Sequence, residues 1–166
     1  MLRAYATGWD QGTQKEGEEM EITSVKDVSK IVLQKSSEPI SNLKLQKLLY
    51  YVQGWSLALY DRAAFYEEIQ AWVHGPVVPA AFYEYKHYRW NPIEVPRETI
   101  AISQAESDHV REVLSVYGKF TALQLERISH EESPWKDARV GLEPSAISRN
   151  VITTDSMKAY FSQLHG

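Results

Sequence analysis

The sequence predicts a mainly α fold: a compact bundle of about six helices with one small β element, a short strand or hairpin around residues 64–74. Two observations predict it. Apolar residues recur at steps of three and four behind Ser or Thr residues suited to capping, which is the pattern of amphipathic helices. That rhythm dissolves in "AAFYEEIQAWVHG", where Phe65, Ile69 and Trp72 follow neither helical nor strictly alternating spacing, so one or two short strands are expected there.

In chain order, residues 1–19, "MLRAYATGWDQGTQKEGEE", show little periodicity and end acidic. They read as a flexible extension, with Met20 as an alternative initiator and residues 20–166 as a single domain. Ser24 with Asp27 resembles a capping box, and Val25, Val28, Ile31 and Val32 recur at helical spacing, predicting a first helix that closes at Lys35 and "SSEP". Ser41 caps a long second helix in which Leu45, Leu48, Leu49, Val52, Ser56 and Leu59 trace one core face. Gly54 inside it costs about 1 kcal/mol relative to Ala, so it predicts the close approach of another backbone. Pro79 opens a third, strongly aromatic helix, "AAFYEYKHYRW", ended by Asn91-Pro92. Ser103 and Glu106 box a helix whose Val110, Val113, Leu114 and Tyr117 share a face, with Gly118 expected as a left-handed cap. Thr121 and Gln124 repeat the signature for a short helix ending near His130, after which "ESPW" breaks the pattern. Thr154 or Asp155 caps a last helix carrying Met157, Tyr160, Phe161 and Leu164.

At 166 residues the chain has room for one core and not for two ordinary domains. A formal charge of −4 lacks the positive field that brings proteins to phosphate backbones, which disfavours nucleic acid as a partner. The absence of cysteine removes disulfides, thiol nucleophiles and cysteine-ligated zinc, and fits a reducing cytoplasm. No run approaches eighteen apolar residues and no secretory leader opens the chain, so a soluble cytoplasmic protein with no membrane partner is expected.

Enzymatic chemistry finds little support. "HEESP" begins like a zinc-protease helix, but Pro134 stands where the second histidine is needed. There is no G-x-S-x-G elbow, and "YGKF" lacks the other elements of a phosphate-binding loop. The pairs Glu67/Glu68 and Glu131/Glu132 read as solvated faces. No catalytic residue, cofactor or metal is expected. The segment Thr121–Arg139 could imitate a helix-turn-helix, although its second element is short and offers only Lys136 and Arg139 to DNA; a DNA-binding regulator is the competing reading.

Two features remain. Lys44, Lys47, Tyr51 and Trp55 form a cation–aromatic stripe beside the core face of the second helix, and "AWVHGPVVP" concentrates Trp72, His74, Gly75, Pro76 and Val77 in one corner. Either the aromatics complete the core while the lysines snorkel over it, or the stripe is a preformed interaction surface. Spacing favours the core for Trp55 and Trp72 and leaves the lysines open. Gly75 and Pro76 suit a rigid bend into the aromatic helix.

The segment "LKLQKLLYYVQGWSLALYDRAAFYEEIQAWVHGPVVPAAFYEYKHY" resembles the signature of the Panacea domain, the SocA-like antitoxin domain also found in GepA-type phage-associated proteins. A second block, "LERISHEESPWKDAR", matches that family's C-terminal pattern. The resemblance implies a mostly helical antitoxin of a two-gene toxin–antitoxin system that binds a cognate protein toxin encoded by a neighbouring gene. One branch of the family is a proteolytic adaptor to a AAA+ protease. Carried over by residue, the motifs nominate Lys44, Lys47, Tyr51, Trp55, Trp72, Gly75, Pro76, Val77, His130, Glu131 and Trp135 as partner-binding candidates, and His74 joins them from the corner itself.

Overall fold

Each long helix begins where a hydroxyl side chain takes up an orphaned backbone N–H. In a computed structural model, which describes residues 22–166, Ser24 accepts from Asp27 N and opens α1 (Val25–Lys35), and Ser41 accepts from Lys44 N and opens α2 (Asn42–Tyr60). The extension expected at residues 1–19 lies outside the described residues. Strands β1 (Ile69–Trp72) and β2 (Gly75–Val77) form a hairpin, and α3 (Pro79–Tyr85) follows directly. Ser103 caps α4 (Gln104–Tyr117), Thr121 and Gln124 form a complete capping box for α5 (Ala122–His130), and α6 (Ser133–Ala138) follows. A two-residue strand, β3 (Val151–Ile152), precedes α7 (Thr154–His165), which Thr153 caps one residue earlier than expected. The mainly α fold with a small β element is what the sequence predicts; the described residues contain seven helices and three strands.

Helix α2 is the axis. Fifteen of its 19 residues are buried, so it has no solvent face of the kind an amphipathic helix keeps. Helices α1, α4, α5 and α7 and the hairpin pack around it. Its C-terminus is closed by Asp61 in the left-handed region (φ 54°), which also pairs with Lys158 of α7. Gly54 is crowded, but by a side chain rather than a backbone: a Cβ there would lie 2.1 Å from Cε2 of Phe161. The Phe161 ring occupies the missing volume, fully buried against Tyr50, Tyr51 and Trp55.

The sheet has the order β2-β1-β3 and is antiparallel throughout, with Trp72 opposite Gly75 at the hairpin end and Ile69 opposite Ile152 at the other. The hairpin matches the expected β element, while β3 arrives from the far end of the chain. Three further expectations are corrected. Gly118 is right-handed (φ −62°), because the chain continues through a turn to the Thr121 cap rather than reversing. The aromatic helix stops at Tyr85 and tightens into a 3-10 turn, Lys86–Tyr88, ended by Arg89 at φ 55°. "ESPW" starts α6 instead of breaking the helical pattern, since proline in a first turn gives up an N–H that has no helical partner.

Candidate partner-binding site

The cation–aromatic stripe faces inward. Tyr51, Trp55 and Lys47 are 0% exposed and Lys44 is 6% exposed, because α2 is covered on every side. These residues, named above as interface candidates, therefore present no contact area to a partner. Trp55 Nε1 donates to Tyr117 Oη at 2.9 Å, and the Tyr51 and Tyr117 rings stack with centroids 3.9 Å apart. Lys44 Nζ donates to Gly118 O at 2.6 Å, which ties α2 to the end of α4, and burial lowers its pKa. Lys47 Nζ donates to Pro76 O at 3.1 Å, and burial pushes its pKa down to about 7.

Glu132, read from the sequence as half of a solvated pair, is fully buried; only Glu131 is exposed, where it meets Lys136 at 3.5 Å. Tyr51 Oη donates to Glu132 Oε1 at 3.0 Å and Tyr160 Oη to Oε2 at 3.4 Å. Burial outweighs those bonds and pushes the Glu132 carboxyl up to about 8, so it is mostly protonated at neutral pH. The same burial, with the nearby Glu132, raises the phenol pKa values of Tyr50, Tyr51, Tyr117 and Tyr160. A neutral acid among un-ionised phenols is an interior hydrogen-bond hub, and no groove lining reaches it.

The glutamines of the first motif also serve the interior. Gln46 Oε1 accepts from Val78 N at 2.9 Å while its Nε2 donates to Asn42 Oδ1. Gln53 takes Ala64 N at 2.7 Å and gives Nε2 to Phe65 O at 3.0 Å. Each satisfies backbone groups that the bends before β1 and after β2 leave unpaired.

The corner "AWVHGPVVP" is the β1–β2 hairpin and its exit. Gly75 at φ 104° turns it, and the absent Cβ makes room for Lys47, whose Cε would otherwise be 2.7 Å away. The third motif block latches β1: Trp135 Nε1 donates to Trp72 O at 2.9 Å, Arg139 Nη1 donates to Ala71 O at 2.9 Å, and His130 lies against the Val73 backbone while stacking on Trp135 at 4.1 Å. Burial lowers the His130 pKa. Arg139 is 5% exposed and also donates to Glu143, Pro144 and Ala146 carbonyls, so it is not available to a phosphate backbone as a helix-turn-helix reading requires. His74 is the one exposed residue of the corner, with its side chain 75% exposed and Nδ1 2.7 Å from Glu126 Oε1, while Trp72 and Val73 are half-buried.

Above this latched hairpin lies a half-open groove of about 830 Å³. Trp72, His74 and Val77 contribute from the hairpin, and Asn42, Leu43 and Gln46 from the start of α2. Helix α3, its 3-10 turn and the two residues after it add Phe82, Tyr83, Lys86, Arg89 and Trp90, and Ile147–Arg149 line the groove as well. Trp72, half-buried rather than a core plug, packs on Phe82 at 5.0 Å and on Tyr83 at 6.4 Å. Trp90 and Ile147, one from each of these last two segments, are 86% and 90% exposed. The groove thus collects three nominated residues, Trp72, His74 and Val77, while Gly75, Pro76, His130 and Trp135 support it from beneath. The wall residues were missed. The aromatic richness of "AAFYEYKHYRW" was a usable signal for one wall; nothing local marks Ile147–Arg149, which are brought in by Arg139 and by Asn150 Nδ2 donating to Ala138 O at 3.0 Å.

Fold and site together describe a tightly pinned helical scaffold presenting an aromatic, half-open groove. Its family follows from the same residues: the chain belongs to the antitoxin SocA-like, Panacea domain family, whose model matches residues 45–136. No curated protein and no solved structure matches it. Helices α1 and α7 lie outside the matched span, yet Val28, Val32, Met157 and Phe161 belong to the same core. Among the described residues, no helix is long and apolar enough to cross a membrane, and no three His, Asp or Glu side chains converge as metal ligands could.

Proposed function

We propose that this chain is a non-enzymatic cytoplasmic antitoxin that neutralises a cognate protein toxin by binding it across the groove between α3 and residues 147–149. This reading is carried by the exposure of Trp90 and Ile147, both of which line a groove of about 830 Å³ built on the family's own hairpin. Large apolar side chains gathered in one concavity mark interaction surfaces, and aromatic anchors supply most of the energy there. The buried titratable groups serve the scaffold, Lys47 by holding the hairpin and Glu132 by tying α2 to the start of α6.

Co-expression with the product of the adjacent gene tests this reading. Growth arrest by that product alone, relieved by this chain and restored by Trp90→Ala with Ile147→Ala, is the expected result. A neighbour that is harmless alone, or that still kills when this chain is abundant, refutes it. A toxin half-life that falls in the presence of the chain would make it an adaptor to a AAA+ protease rather than a stoichiometric blocker.

A further inference from the structure

Resting on that reading of the groove, we infer that its occupant is an acidic segment of the toxin, with an apolar side chain anchored between Trp90 and Ile147 and carboxylates meeting Lys86, Arg89 and Arg149. The charge distribution is lopsided. The chain carries 22 acidic against 18 basic residues, yet among the described residues no Asp or Glu lines this groove, while Lys86, Arg89 and Arg149 all do. None of the three has an ion-pair partner among the described residues. Glu84, the carboxylate of the same helix, acts on Lys30 and Tyr85 instead. Cations left without counter-charges around an apolar groove are complementary to an acidic, apolar-anchored ligand.

Arg89 adds an independent sign. It holds φ 55° and ψ −116°, a conformation that suits glycine and is strained for a residue with a Cβ. The position thus forgoes backbone comfort for a guanidinium at the groove edge. A nucleic acid fits less well. A nucleic acid extends its phosphates beyond the groove, where the net charge of −4 repels them, whereas a short acidic segment meets only the local cations. An enclosed small-molecule site would bury its walls, whereas here Trp90 and Ile147 are almost fully exposed.

The test measures the affinity of the purified full chain for the adjacent gene product by calorimetry at low and high salt. Arg89→Glu with Arg149→Glu is compared with Lys26→Glu with Lys35→Glu, an equal charge change on exposed positions of α1. We expect the groove reversal to weaken binding at least roughly tenfold and to flatten its salt dependence, with the α1 control within about threefold of wild type. Arg89→Gln with Arg149→Gln should fall between them, and it keeps the test decisive if the reversed variant folds poorly. Tight toxin binding that ignores both substitutions overturns the acidic-segment inference and leaves the antitoxin reading standing. Displacement of the toxin by a mixed-sequence oligonucleotide overturns it in favour of a nucleic-acid groove. Absence of any binding by the wild-type chain overturns both.

Discussion

Replacing Glu132 with Gln puts the buried carboxyl to a quantitative test. In the fold it titrates near 8 because burial disfavours its charged form, against 4.5 for an ordinary glutamate. A folded pKa above the unfolded one gives a contribution that is complete below about pH 4.5 and is lost as pH rises through about 8, since the unfolded chain gives up its proton first. The interval between those values, at roughly 1.4 kcal/mol for each tenfold in proton affinity, is about 5 kcal/mol, comparable with the whole stability of a small domain. Gln has the shape of the protonated acid and still accepts from Tyr51, so the variant keeps the packing and loses the titration. Lys47 and His109, pushed down to about 7 and about 4 by burial, titrate in both proteins and touch other groups, so they cancel in the difference. Urea unfolding of both proteins should show Glu132→Gln gaining roughly 3 to 4 kcal/mol on wild type between about pH 5 and pH 8. Parallel stability curves across that range would refute a neutral buried acid at this position.

Three more substitutions probe the scaffold. Gly75→Ala places a side chain at φ 104° and 2.7 Å from Lys47 Cε, so chemical denaturation should show a loss of about 2 to 4 kcal/mol; a change under about 0.5 kcal/mol would contradict the hairpin geometry. Gly54→Ala gains about 1 kcal/mol of helix propensity but meets the Phe161 ring at 2.1 Å, so a net loss is expected by the same assay, partly relieved when Phe161→Leu is added. Lys47→Glu strands a carboxylate beside Pro76 O and within the field of Glu126, with an expected loss of about 3 to 5 kcal/mol and a melting temperature lower by about 10 °C in calorimetry. An unshifted melting temperature there would return Lys47 to the surface.

Helix starts were legible because a cap is a local event: Ser24, Ser41, Ser103 and Thr121 act within three residues of themselves. The role of α2 was half legible. Its leucine face was plain, but burial of the opposite face depends on α4, α5 and α7, and nothing at Lys47 or Tyr51 announces what will cover them. Glu131 and Glu132 show the limit sharply, since adjacent identical residues part into solvent and core once α6 begins between them and Trp135. The groove was legible where its residues sit in the hairpin motif and its aromatic continuation. It was illegible at Ile147–Arg149, whose position follows from the Arg139 guanidinium and Asn150 amide binding distant carbonyls.

The seat of Phe161 in the notch at Gly54 bears on the order in which the molecule is made. Helix α2 precedes α7 in the chain, so one side of it stays open until α7 docks, because the Phe161 ring fills the space that Gly54 leaves. During that interval Tyr50, Tyr51 and Trp55 lack their ring partner and the chain carries an unsealed apolar interior. The nascent protein is therefore open to proteases and chaperones until α7 docks, and that docking is what seals it.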